Sequence, residues 1–115
     1  MVKSLTGKSI VEIIKAHRGQ CLFSDDGLEL EYEDLAENIE EFGKQLSSID
    51  MENNKICALV LPNGVDMAIS FLALANYVTV SPLNPNYTKE EFLFFLEDLD
   101  CEFIITDKNV SNSLL

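Results

Sequence analysis

The stretch Lys55 to Leu61, KICALVL, is almost continuously apolar over the length of one strand and shows no polar alternation. Such a strand offers no face to water, so both of its faces must be covered, as in a parallel sheet with helices on either side. Pro62 ends it, because proline cannot donate to a ladder. Asn63 and Gly64 then open a helix through Asn76 whose apolar residues (Val65, Met67, Ala68, Ile69, Phe71, Leu72, Leu74) run nearly all the way round. A helix of that kind has to be packed on more than one side.

The pattern then repeats. Tyr77 to Val80 is β-branched and aromatic and reads as the next strand. It leads into VSPLNPNYTKEE, Val80 to Glu91, where Pro82 and Pro85 stop the strand. Thr88 and Glu91 have the T-x-x-E spacing of a capping box, in which two side chains satisfy orphan backbone amides reciprocally. The helix that starts there carries Phe92, Phe95, Leu96 and Leu99 on one stripe and ends around Asp98. Glu102 to Thr106 is a final strand, and Asp107 is positioned to start one more helix, for which little chain is left.

Upstream, Ser9 to Ala16 places Ile10, Ile13 and Ile14 at helical spacing. Two short extended runs, CLFS and LELEY, flank Asp25, Asp26 and Gly27, and the Asp-Gly pair predicts a hairpin because glycine accepts a positive φ in a turn. From Glu33 to Ile49 the residues Leu35, Ile39, Phe42 and Leu46 form one helical stripe, with acidic residues on the other faces and DMENN following as a linker. Single helices between strands are crossovers onto a parallel sheet. The expected fold is therefore α/β and three-layered: a mostly parallel sheet with crossover helices plus a short N-terminal β-hairpin, in a single domain over residues 1–115.

Charge narrows the partners. Twenty acidic against 8 basic side chains give a formal charge of -12, which repels a phosphate backbone and an anionic membrane surface alike. Nucleic acid is not an expected partner. The longest apolar run, Ala68 to Val80, is interrupted and too short for a membrane span. The N-terminus lacks the long apolar core of a secretory signal, so a cytoplasmic, reducing location is expected. Cys21, Cys57 and Cys101 are odd in number, far apart and without a CxxC pair, and read as small buried thiols.

Few residues suggest chemistry on their own. No GxGxxG or GxxxxGK[ST] follows a strand. Leu61-Pro62-Asn63-Gly64 is the nearest approach, and with Asp66 already in the first turn Asn63 reads as an N-cap. His17, the single histidine, reads as a surface residue near a helix end, and Asp25-Asp26 as turn residues. No residue is assigned a catalytic, cofactor-binding or metal-ligating role.

Four landmarks in order nevertheless carry a resemblance: Tyr32-x-x-Leu35, Leu61-Pro62-Asn63, Pro82 to Thr88 (PLNPNYT) and the strand FIIT. From about Leu28 to Asp107 the chain resembles the start of the adenylate-forming (AMP-binding) superfamily of acyl-CoA synthetases, luciferases and peptide-synthetase adenylation domains. Adenylation domains typically read PLDPxYP, so Asn84 and Thr88 look like the acyl-CoA or aryl-CoA ligase branch. One departure concerns packing: relatives usually have a Gly-Ala pair before the strand leading into PLNP, and here Asn76-Tyr77-Val78 stands instead.

The resemblance implies a two-step reaction. A carboxylate attacks the α-phosphate of Mg-ATP to give an acyl-adenylate and pyrophosphate, and the thiol of coenzyme A then displaces AMP. The groups for that chemistry, a Ser/Thr/Gly-rich phosphate loop ending in lysine among them, belong downstream of the region covered. The chain is thus expected to be a truncated N-terminal part of an AMP-binding domain that binds no cofactor and has no activity by itself, with Mg-ATP and coenzyme A belonging to the larger enzyme. Its expected partner is the rest of that domain, and its open sheet edge favours self-association. The rival is a stand-alone, non-enzymatic α/β module such as a phosphoacceptor receiver, against which stand Pro62 and Pro82 at the strand ends, where acceptor acids would be needed. An acyl carrier protein would require an Asp-Ser-Leu tripeptide, and none occurs.

Overall fold

The computed structural model describes residues 9–49 and 56–108. The linker Asp50 to Asn54 and most of the helix expected after Asp107 lie outside those residues. The chain opens with α1 (Ile10–Lys15), whose first turn is capped by Ser9 Oγ accepting from the Glu12 N–H at 3.3 Å. The antiparallel hairpin of β1 (Gln20–Phe23) and β2 (Glu29–Glu31) follows, closed by hydrogen bonds from Ser24 N–H to the Leu28 carbonyl and from Gly27 N–H to the Ser24 carbonyl. Gly27 has φ +93°, the conformation its Asp-Gly pair predicted. Helix α2 runs Tyr32–Ser48, one residue earlier than the hydrophobic stripe suggested, because Asp34 Oδ2 accepts the Glu31 N–H at 3.1 Å and fixes the start there. Its stripe is buried at Leu35, Ile39 and Leu46.

The apolar run forms β3 (Ile56–Val60), central in a parallel sheet of order β4-β3-β5, with β4 at Thr79–Pro82 and β5 at Phe103–Thr106. Helix α3 (Val65–Ala75) links β3 to β4, and α4 (Lys89–Leu99) links β4 to β5. The two steps move in opposite directions across the sheet, so right-handed crossovers put their helices on opposite faces. The core follows that geometry. Cys57 and Leu59 pack with Leu46 of α2 and Leu74 of α3, whereas Ala58 and Val60 pack with Leu83 and with Phe92 of α4. These two layers of helix around a three-stranded sheet are the expected three-layer arrangement.

Several expectations need correction. β4 begins at Thr79 rather than Tyr77, since the N–H groups of Tyr77 and Val78 both donate to the Leu74 carbonyl and finish α3 instead. It continues through Pro82, which an edge strand tolerates. The N-cap of α3 is Gly64, not Asn63. Of the three thiols only Cys57 is buried; Cys21 and Cys101 are half-buried. Helix α3 packs on two sides, against α2 and the sheet, but Phe71 is left 38% exposed. The capping box of α4 is as expected: Glu91 N–H donates to Thr88 Oγ1 at 3.2 Å and Thr88 N–H to Glu91 Oε1 at 3.1 Å.

Asn76-Tyr77 is accommodated by two tertiary contacts. Asn76 Oδ1 accepts the Val11 N–H at 3.0 Å, one of the orphan donors of the first turn of α1. The Tyr77 hydroxyl donates to the Ile39 carbonyl at 3.3 Å, and its ring fills the space over Gly43, where a Cβ would lie 2.8 Å from Cε2 and nearer still to the ring tip. Gly43 is thus the recess that admits the Tyr77 ring against α2. Gly43→Ala is expected to destabilise the chain by about 1–3 kcal/mol through overpacking. In a Tyr77→Ala background the same change should instead stabilise by about 0.5–1 kcal/mol, as alanine replaces glycine inside a helix. Urea denaturation of the four proteins of the cycle measures both, and equal effects of Gly43→Ala in the two backgrounds would refute the recess.

Candidate functional site

In open α/β sheets ligands lie beyond the carboxyl ends of the strands, near the point where the connections reverse direction. Here that point is the end of β3, and a crevice of about 430 Å³ sits there. The hairpin turn supplies Ser24, Asp25, Asp26 and Leu28; the β3–α3 connection supplies Leu61 to Asp66; Asp107 closes it just past β5. The fold thus brings together two features that sequence patterns treat as separate, the Asp25-Asp26 turn and the Pro62-Asn63-Gly64 loop. Their juxtaposition depends on how the hairpin docks beside the sheet, which no local pattern encodes.

The electrostatics of the crevice are one-sided. Among the described residues four aspartates line it (Asp25, Asp26, Asp66, Asp107) and no Lys, Arg or His does. The Ser24 hydroxyl donates to Asp26 Oδ1, and the Leu28 N–H donates to Ser24 Oγ at 3.0 Å. The hydroxyl, then the Leu28 N–H, hold the Asp26 carboxyl below its ordinary value of 3.8. The start of α3 faces the same space, but Asp66 already occupies its first turn. A phosphate would meet carboxylates here. Among the described residues no group of three or more His, Cys, Asp or Glu is arranged to hold a metal ion.

The other sequence candidates lie elsewhere. His17 is exposed beyond α1, with Nδ1 2.9 Å from the Ile13 carbonyl and its ring 5.3 Å from that of Tyr32. It borders a shallow hollow with Lys15, Arg18, Glu33 and Glu40, in which Lys15 pairs with Glu40 at 2.8 Å. The PLNPNYT segment is a connection. Leu83 N–H donates to the Leu59 carbonyl at 2.9 Å, Asn86 N–H donates to Asn84 Oδ1 at 2.9 Å, and the Tyr87 ring stacks 5.0 Å from Phe95.

Because Asp26 is lowered, its contribution to the hairpin is present above the ordinary aspartate range and is lost as pH falls through the folded-state value. Carboxyl-carbon NMR titration should find Asp26 below 3.8, and Ser24→Ala should return it toward that value. An Asp26 titration unchanged by Ser24→Ala would refute the hydroxyl as the cause.

Comparison with known proteins places this geometry in context. The family described as AMP-binding enzyme matches residues 12–115. Over 64 residues the chain is 39% identical to an oxalate–CoA ligase of Arabidopsis thaliana, covering 55% of this chain and 12% of that enzyme. Over 87 residues it is 29% identical to a dimodular nonribosomal peptide synthase of Bacillus subtilis, covering 75% of this chain and 4% of the synthase. The fold resembles O-succinylbenzoate coenzyme A synthetase from Bacillus subtilis in complex with AMP, with a TM-score of 0.79 at 20% identity over 89% of this chain and 28% of that structure. The chain thus spans 12% and 4% of these two curated relatives and about a quarter of the solved one.

Proposed function

Because the chain belongs to the AMP-binding enzyme family, we propose that it is the N-terminal α/β part of an ATP-dependent, AMP-forming acid–thiol ligase of the acyl-CoA ligase branch. The observation that carries the reading is the family match over residues 12–115, together with a three-layer fold shared with an AMP-bound coenzyme A synthetase. The larger enzyme joins a carboxylate to the α-phosphate of Mg-ATP, releasing pyrophosphate, and coenzyme A then displaces AMP. Asn84 and Thr88, together with the likeness to a plant CoA ligase, support the CoA branch. The likeness to a peptide synthase supports the second reading, an adenylation domain that passes its acyl group to a carrier.

Within this reading the chain is scaffold. Stabilising charge that develops on phosphoryl oxygens requires cations or oriented donors. The carboxyl-end crevice presents carboxylates instead. The chain alone is therefore expected to give no ATP–pyrophosphate exchange with any carboxylate offered. Exchange above background by these 115 residues would overturn the scaffold role. In the full-length polypeptide, release of AMP that depends on free coenzyme A separates the CoA branch from transfer to a pantetheinyl carrier.

The remaining partner in this reading is the rest of the AMP-binding domain. β5 is an edge strand without proline or charge, and Leu93 (56%), Phe94 (64%) and Ile104 (44%) are exposed on or near the α4 side of the sheet. Unprotected edges and apolar patches associate. Produced alone in a cytosol-like buffer, the chain should self-associate in sedimentation velocity, and Ile104→Lys should shift it toward monomer. A wild-type chain that stays monomeric at high concentration would count against the exposed face.

A further inference from the structure

Only two Asx-Gly pairs occur in the chain, Asp26-Gly27 and Asn63-Gly64, and both border the carboxyl-end crevice. An Asx side chain followed by glycine is the arrangement in which the next backbone nitrogen most easily attacks the side-chain carbonyl, because glycine has no Cβ to crowd the approach and few backbone restrictions. The structure treats the two pairs differently. The Gly27 N–H is engaged with the Ser24 carbonyl at 3.1 Å, and the Asp26 carboxylate accepts from the Ser24 hydroxyl and, at 3.5 Å, from the Leu28 N–H. An ionised, hydrogen-bonded carboxylate is a poor electrophile, and the nitrogen that would attack it is held.

Asn63-Gly64 has none of these restraints. Both residues are exposed, and among the described residues neither the Asn63 amide nor the Gly64 N–H makes a hydrogen bond. Gly64 lies just outside α3, contributing only its carbonyl, which accepts from Ala68 N–H at 3.1 Å. Gly64 adopts φ +152°, and the place a Cβ would take has no atom within 4 Å. The neighbourhood therefore leaves both the nucleophile and the electrophile free to meet.

We propose that Asn63 is a site of spontaneous modification through a succinimide, giving aspartate and isoaspartate. The deprotonated backbone nitrogen of Gly64 attacks Cγ of Asn63, the new C–N bond closes a five-membered ring, and the side-chain amide leaves as ammonia. Water then opens either ring carbonyl. Opening at one side leaves an ordinary aspartate in place of Asn63, and at the other isoaspartate, in which the chain continues through the former side chain. The sum is asparagine plus water giving an acid plus ammonia, with no oxidant or reductant required. The product adds a fifth carboxylate to a crevice already lined by Asp25, Asp26, Asp66 and Asp107, and in the isoaspartate form it adds a methylene to the main chain between β3 and α3.

The test is to age the intact chain in mildly alkaline buffer, follow each asparagine peptide by its amide-to-acid mass shift, and count isoaspartate by enzymatic methyl transfer. The peptide containing Asn63 should convert first, with isoaspartate arising from Asn63 exceeding that arising from Asp26. Asn63→Gln should abolish most of the isoaspartate signal, since glutamine must close a larger ring. Gly64→Ala should slow conversion by about an order of magnitude through the added Cβ. Isoaspartate that accumulates first at Asp26 would overturn the proposal, as would a signal undiminished in Asn63→Gln. So would an Asn63 that stays amide in the folded chain while converting in the denatured one.

Discussion

The structure depends on burying β3 on both faces. Cys57, Ala58, Leu59 and Val60 are all 0% exposed, two facing α2 and α3 and two facing α4. Removing a Leu or Val side chain from water stabilises by about 1.5–3 kcal/mol, but only if every backbone amide of the strand is paired as well. That second condition demands a neighbour strand on each side, and β4 and β5 meet it in register, with Cys57 opposite Val80 on one side and Phe103 on the other. Even the thiol acts as a hydrophobe here. Burial pushes Cys57 up to about 11, so it is neutral through the physiological range. A raised value means that its contribution is complete below the ordinary thiol range and is lost as pH rises through about 11.

Two strands added to β3 bring two connections, and the handedness rule sends them to opposite faces. On the α4 side the core is closed locally, by Leu83 and Phe92 under the Tyr87 ring. On the other side α2 comes from far upstream and needs a tie to the sheet. Phe42 and Tyr77 supply it, since both pack against the sheet cluster and against the α1–α2 cluster. Gly43 is what lets Tyr77 take that place, so a glycine in the middle of a helix, normally a cost of about 0.5–1 kcal/mol, is offset by the contact it permits.

Features written in consecutive residues were legible in the sequence. The double-sided burial of ICALV, the T-x-x-E cap of α4 and the Asp-Gly hairpin all rest on local spacing, and all three appear in the structure. Features decided by competition between distant groups were not. Tyr77 has the propensity of a strand residue, yet its N–H is taken by the Leu74 carbonyl and its ring by the recess at Gly43. Asn63 has the chemistry of a cap, but the chain turns one residue later, at Gly64, which has no side chain to offer. The crevice was illegible for the same reason. Asp25-Asp26 and Asn63-Gly64 each have a sufficient local explanation, and only the packing of hairpin beside sheet makes them neighbours.

Local geometry also explains two residues of the PLNPNYT connection. Asn84 serves as the acceptor for the Asn86 N–H in a turn, and an aspartate there would accept the same bond. Thr88 is different, for a proline at that position would lose both the hydroxyl that accepts from Glu91 N–H and the N–H that donates to Glu91 Oε1. What separates PLNPNYT from PLDPxYP is therefore a matter of how a connection turns and how a helix starts. Neither side chain lines the carboxyl-end crevice. Both positions are thus accounted for by local backbone geometry, the one closing a turn and the other starting α4.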